Sequence, residues 1–98
     1  MICWLEGIFV LSDCQWTLQV PMSAEDCGKL LSAALECIET QTDTEFIVYK
    51  FSYGELGVRM LTVMYGDYKF VIPVTNDVLT AIHTSLHNIK LKGANNEH

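Results

Sequence analysis

The pattern of hydrophobic and polar positions between residues 45 and 75 predicts three antiparallel β-strands, joined by two glycine-containing turns. The second turn is Gly66-Asp67, which lies between two runs rich in aromatic and β-branched residues. Glycine in the first position suits the type II′ turn, whose twist matches that of a hairpin. This turn predicts the register of the hairpin, with the pairs Tyr65–Tyr68, Val63–Phe70, Leu61–Ile72 and Arg59–Val74.

The first turn lies within residues 54–57, and its length decides which side chains share a face of the sheet. A loop with an even number of residues places the side chains of the preceding strand on one face of the sheet, and a loop with an odd number places them on the other, because side chains alternate along a strand. An even loop makes both faces largely apolar, so each needs a cover: a helix of the same chain, a second subunit or a partner. The second face then carries an adaptable apolar surface made of Tyr49, Phe51, Tyr53, Met60 and Met64.

Two more strands precede this region, one over Ile2–Leu11 and one over Cys14–Met22, with a turn at Ser12-Asp13. The first is apolar almost throughout, whereas the second alternates between apolar and polar side chains. This contrast predicts that the first strand lies inside the sheet and that the second lies at its edge. Pro21 agrees with an edge position, because proline donates no hydrogen bond to a neighbouring strand.

Apolar residues at spacings of three and four predict two amphipathic helices, with Ser23 and Thr75 as their N-caps. The second helix ends near Gly93, so the domain covers residues 1–93 and a polar tail covers 94–98. The segment from residue 23 to residue 55 contains seven carboxylates. Such a surface is either a solvated face or a docking surface for a basic partner, and the helical residues in question are Glu25, Glu36 and Glu39.

The elements follow the order β-β-α-β-β-β-α, which predicts one α+β domain with a five-stranded antiparallel sheet and two helices. This order resembles the longin and profilin-like layouts, in which a five-stranded sheet carries helices on its faces. The resemblance lies in the element order alone. It implies a docking or dimerisation module, although a fold does not by itself determine a function.

The composition narrows the class of partner. The 98 residues carry a net charge of −6, and their six basic residues are dispersed along the chain, which disfavours direct binding of nucleic acid. No apolar stretch reaches the roughly 18 residues that a membrane span needs, and Glu6 interrupts the first one. The four cysteines form no CxxC pair, so we expect reduced thiols in a cytoplasmic protein.

His83 and His87 are the best candidates for metal ligands, because positions i and i+4 share one face of a helix. The sequence HTSLH lacks the glutamate of the HExxH metalloprotease motif, and no third ligand is placed by its spacing. We therefore predict neither a metal nor another cofactor. A small metal-binding protein or enzyme that uses both histidines with a cysteine remains the alternative.

The leading hypothesis is a non-enzymatic protein-binding module that forms a homodimer. It would act as an adaptor subunit or as a small acidic regulator or inhibitor, including a phage-type inhibitor that blocks a basic nucleic-acid-binding site of its target. The excess of apolar surface and the absence of a catalytic motif motivate this hypothesis. Its predicted contact residues are the apolar surface and the acidic helix face: Tyr49, Phe51, Tyr53, Met60, Met64, Glu25, Glu36 and Glu39.

Overall fold

The computed structural model describes residues 1–54 and 59–95 of the chain. It confirms the α+β class, with two helices and antiparallel strands. The elements in chain order are β1 (Ile2–Leu5), β2 (Ile8–Ser12), β3 (Thr17–Pro21), α1 (Ala24–Thr40), β4 (Thr44–Phe46), β5 (Tyr49–Tyr53), β6 (Met60–Tyr65), β7 (Tyr68–Pro73) and α2 (Asn76–Asn95).

The strands form two sheets, so the predicted single five-stranded sheet is wrong. One sheet has three strands in the order β1-β2-β3, and the other has four in the order β4-β5-β6-β7. The number of strands rises from five to seven because two predicted strands fold back as hairpins. The first turns at Glu6-Gly7, where φ is 47° and 92°, and the other turns at Ile47-Val48, where φ of Ile47 is 54°.

The β6–β7 hairpin has the predicted turn and register. Gly66 adopts a φ of 59°, as the first residue of a type II′ turn requires. Val74 also donates its N–H to the carbonyl of Arg59, with 2.9 Å between nitrogen and oxygen. The strand residues pair as Tyr65 with Tyr68, Val63 with Phe70 and Leu61 with Ile72.

The register of β5 against β6 corrects the predicted assignment of faces. Phe51 lies opposite Val63, and the N–H of Gly54 donates to the carbonyl of Met60 at 2.8 Å. Five residues, 55–59, separate Gly54 from Met60, and five is an odd number. The aromatic side chains of β5 therefore lie on the face opposite to the one that an even loop predicts. The turn predicted within residues 54–57 lies largely outside the described residues. The opposite face of this sheet is mixed in character and carries Lys50, Ser52, Met60, Thr62, Met64, Lys69 and Val71.

Both sheets and both helices contribute to one hydrophobic core. Helix α1 packs on β4, β5 and α2, and α2 packs on β1. The aromatic rings of Phe9 in β2 and Tyr49 in β5 meet edge to face, with centroids 5.6 Å apart, which connects the two sheets inside this core. Helix α1 therefore covers the four-stranded sheet, α2 lies against β1 of the three-stranded sheet, and the two helices pack on each other.

Both predicted helix starts are confirmed. The Ser23 hydroxyl accepts the N–H of Asp26 at 3.2 Å, and the Thr75 hydroxyl accepts the N–H of Val78 at 3.2 Å. Helix α2 continues to Asn95, two residues past Gly93 where its end was predicted. Within the described residues, neither helix has the length and apolar character needed to cross a membrane.

Candidate functional site

An open groove with acidic walls lies between α1, α2 and β4, and its volume is about 600 Å³. We call it the acidic groove. Three glutamates and one lysine provide its charged walls, and small or apolar side chains provide its floor. Its lining residues are Glu25, Gly28, Lys29, Ser32, Ala33, Glu36, Glu45, Phe46 and Leu86.

The helical period of α1 places the walls of the groove. Glu25, Lys29, Ser32 and Glu36 recur at steps of three and four, so they share the helix face opposite the buried core side chains. Gly28 lies among them and contacts α2, since a Cβ at this position would be 3.4 Å from Cγ2 of Ile89. The two helices therefore approach each other closely at Gly28.

Strand β4 completes the groove from the other side. The hydroxyl of Thr44 donates to the carbonyl of Ala33 at 2.7 Å, which fastens β4 to α1. This contact holds Glu45 and Phe46 beside the helix. Glu45 was absent from the predicted contact residues, because its place beside α1 depends on a hydrogen bond between residues that are 11 positions apart.

The charges in the groove are strongly unbalanced. The Lys29 ammonium lies 3.6 Å from the Glu25 carboxylate, and both side chains are mostly exposed to water. Such a pair stabilises a helix by less than about 1 kcal/mol, so it is easily exchanged for another contact. Among the described residues, Glu36 and Glu45 have no ion-pair partner. The three carboxylates and one ammonium give the groove a net charge of −2.

The structure divides the predicted acidic residues between two places. Glu25 and Glu36 both line the groove, on the one helix face that their spacing predicts. Glu39 is exposed on the same helix, but it does not line the groove. The third carboxylate of the acidic groove is that of Glu45 in β4, not that of Glu39.

The predicted apolar surface does not exist as one patch. Tyr49 and Phe51 belong to the core, with exposures of 3% and 1%, and half-buried Tyr53 packs against it. Met60 and Met64 are half-buried on the opposite face of the sheet, where Met64 lies between Lys50 and Lys69. The odd loop between β5 and β6 is the physical reason, and it removes the apolar face on which the second subunit was predicted to sit.

A second cavity, of about 340 Å³, lies between the two sheets and is mostly apolar. Met60, Val71 and Pro73 line one side of it, and Asp13 and Cys14 line the other. The Asp13 carboxylate is already engaged by three backbone N–H groups. The cavity therefore offers apolar contacts and no free buried charge.

The cysteines are poorly suited to nucleophilic chemistry, with one exception. Burial, reinforced by the neighbouring Cys3, raises the pKa of Cys27 to about 12, so this thiol stays protonated at neutral pH. Burial likewise raises the pKa of Cys3, and burial followed by the nearby Asp43 raises that of Cys37. Cys14 is exposed.

His83 and His87 are exposed on α2. Within residues 1–54 and 59–95, no three His, Cys, Asp or Glu side chains lie close enough to share a metal ion. The two histidines thus share a helix face without a third ligand from the described residues.

A comparison of the chain with protein-family models, curated proteins and solved structures finds no match. The function proposed below rests on the geometry and charge of the acidic groove.

Proposed function

We propose that this protein is a non-enzymatic binding module whose acidic groove receives a basic segment of a partner protein. The observation that carries the proposal is the arrangement of three carboxylates around a floor that contains Phe46 and Leu86. A segment with two or more Lys or Arg residues around an apolar side chain is complementary to such a groove in both charge and polarity.

The charge of the whole chain supports the same partner. A net charge of −6 attracts a basic protein over the Debye length of roughly 10 Å and repels phosphate backbones. A basic segment that is held in the groove is unavailable to nucleic acid. The module would accordingly regulate or inhibit a target that uses the same basic surface for nucleic-acid binding.

The proposed setting is the cytoplasm. All four cysteines are free thiols, and three of them are buried. Free thiols persist in reducing compartments, whereas secreted domains of this size usually rely on disulfides. The free cysteines therefore support a cytoplasmic location, where an intracellular basic target would also be found.

The test compares partner capture by two variants with equal charge. The groove variant carries Glu25→Gln, Glu36→Gln and Glu45→Gln, and the control variant carries Glu6→Gln, Asp67→Asn and Asp77→Asn. Each variant removes three of the negative charges, so a general effect of net charge acts equally on both. Exposed charge contacts contribute about 0.5 kcal/mol each, so the groove variant should bind roughly tenfold more weakly.

The partner should first be captured with the native protein from its host and identified by mass spectrometry. Its affinity for the three proteins is then measured by calorimetry at low and high ionic strength. We expect the groove variant to bind more weakly than the control variant, which carries the same net charge, and to show the smaller dependence of affinity on ionic strength. Equal affinities of the groove and control variants would show that the groove is not the binding site.

A further inference from the structure

The two sheets have four edge strands, β1, β3, β4 and β7, and three of them are closed by contacts within the chain. Edge strands expose backbone groups that can pair with another chain, so proteins usually block them. At the β1 edge, the N–H of Trp4 donates to the hydroxyl of Ser85 at 3.1 Å. Ser85 is buried in α2, which covers this edge.

The edges of the four-stranded sheet are closed in other ways. At β7, the N–H of Val71 donates to Oδ2 of Asp13 at 2.8 Å, and the Tyr68 ring stacks edge to face on Trp16. Strand β4 has three residues, carries the charged Glu45 at its centre, and is fastened to α1 through Thr44. A short, charged strand is a poor template for pairing.

The hydrogen bonds that flank β3 show which of its backbone groups point away from β2. Met22 donates to the carbonyl of Gly7 at 2.8 Å, and Asp13 donates to the carbonyl of Trp16 at 3.0 Å. Even-numbered residues of this strand therefore bond to β2, because the pattern alternates along an antiparallel pair. The backbone groups of Thr17, Gln19 and Pro21 point outward.

Within residues 1–54 and 59–95, nothing protects strand β3 as the other three edges are protected. Residues 14–22 contain no charged side chain, and Pro21 is the one residue of the strand that blocks pairing. The remaining outward groups are the N–H and C=O of Thr17 and Gln19. These two residues offer two donors and two acceptors in an alternating order that is complementary to itself.

We propose that β3 pairs with β3 of a second copy of this chain, antiparallel and centred on Leu18. In this register Thr17 lies opposite Gln19 of the second copy and Gln19 opposite its Thr17, which gives four backbone hydrogen bonds. Pro21 lies outside these four bonds. A register centred on Gln19 would instead direct the ring of Pro21 at the carbonyl of the opposing Thr17.

The chemistry of the strand favours a second copy over a charged partner. The chain carries a net charge of −6, so most contacts between two copies bring carboxylates together, whereas this strand is uncharged. The two-fold arrangement also brings Trp16, whose side chain is 45% exposed, opposite Val20 of the second copy. Pairing joins the two three-stranded sheets into one six-stranded sheet with the helices of both copies on the same side.

Sedimentation equilibrium at micromolar concentrations tests the proposal with two substitutions at one position. Gln19→Pro removes the outward N–H and leaves the bonds to β2 intact, so it should reduce the mass from twice 11.1 kDa to 11.1 kDa. Gln19→Ala keeps the backbone donor, so it should remain dimeric. Circular dichroism checks that both variants are folded.

A monomeric native protein, or a dimer that responds equally to both substitutions, would overturn the proposal.

Disulfide trapping in a Cys14→Ser background tests the register without a proline. The Cα atoms of Thr17 and the opposing Gln19 are expected at about 5.5 Å, within the range that a disulfide bridges. A mixture of Thr17→Cys and Gln19→Cys proteins should therefore cross-link, and each protein alone should not. Cross-linking of either protein alone would contradict the register centred on Leu18.

Discussion

At the scale of single residues, Asp13 connects more of the molecule than its place in a turn suggests. Its Oδ1 accepts the N–H of Gln15 at 2.8 Å and that of Trp16 at 2.9 Å, while Oδ2 accepts the N–H of Val71 at 2.8 Å. The first two bonds follow from the usual role of Asp in turns, and the sequence predicts a turn here. The third joins residues 58 positions apart and has no signal in the local sequence.

These contacts determine how Asp13 titrates. Burial opposes the charged carboxylate, but the N–H groups of Val71, Gln15 and Trp16, together with the N-terminal ammonium, outweigh it and lower the pKa of Asp13. A carboxyl whose pKa is lower in the folded state stabilises the fold above its unfolded pKa of about 3.9. That stabilisation is lost as the pH falls through the lower pKa of the folded state.

We predict that Asp13→Asn lowers the free energy of unfolding by about 1 kcal/mol at pH 7, because the amide nitrogen cannot accept the N–H of Val71. The difference from the native protein should begin to shrink below the unfolded pKa of about 3.9, where the unfolded carboxyl takes up a proton, and it should vanish only below the lower pKa of the folded state. Urea unfolding between pH 7 and pH 3 measures both effects. Asp67→Asn, in an exposed turn, is the control and should change stability by less than about 0.5 kcal/mol. Equal stability of Asp13→Asn and the control would refute the role of this carboxylate.

At the scale of elements, the turns decided which parts of the fold were predictable. Gly66-Asp67 has the residue types that a type II′ turn favours, so its strands and register follow from the sequence. Glu6 and Ile47 adopt positive φ although neither residue type favours it. An apolar run conceals the Ile47 turn, whereas Glu6-Gly7 interrupts the first run but lies within one predicted strand. Each of these two predicted strands is a hairpin in the structure, which gives seven strands in place of five.

The Ile47 turn should store measurable strain. A φ of 54° at a β-branched residue destabilises the fold by roughly 1–2 kcal/mol. The Ile47 side chain is 68% exposed, so its packing contributes little stabilisation to offset this strain. We predict that Ile47→Gly raises the free energy of unfolding by about 1 kcal/mol. Val48→Gly is the matched control: φ of Val48 is not positive, so glycine there should destabilise the protein. Thermal unfolding followed by circular dichroism compares the two, and a lower melting temperature for Ile47→Gly would contradict the strain.

At the scale of the whole molecule, the acidic groove, the β3 edge and the outer face of the four-stranded sheet lie at different places on the surface. Helix α1 covers the aromatic face of the four-stranded sheet, which the sequence could not establish because the parity of one loop decides it. The acidic face of α1 follows from helical spacing alone, so Glu25 and Glu36 were predictable on the same side of the helix. Glu45 joins them through the packing of β4 on α1. The groove, the β3 edge and the outer sheet face are thus separate surfaces.

The most direct test of the account is site-specific photo-crosslinking of the captured partner. A photoreactive amino acid is placed either at Ser32, in the middle of the acidic groove, or at Thr62, between Met60 and Met64 on the outer sheet face. The account predicts cross-links from Ser32 to a Lys- or Arg-containing segment of the partner, and none from Thr62. Cross-links from Thr62 without any from Ser32 would place the partner on the outer sheet face and contradict the account.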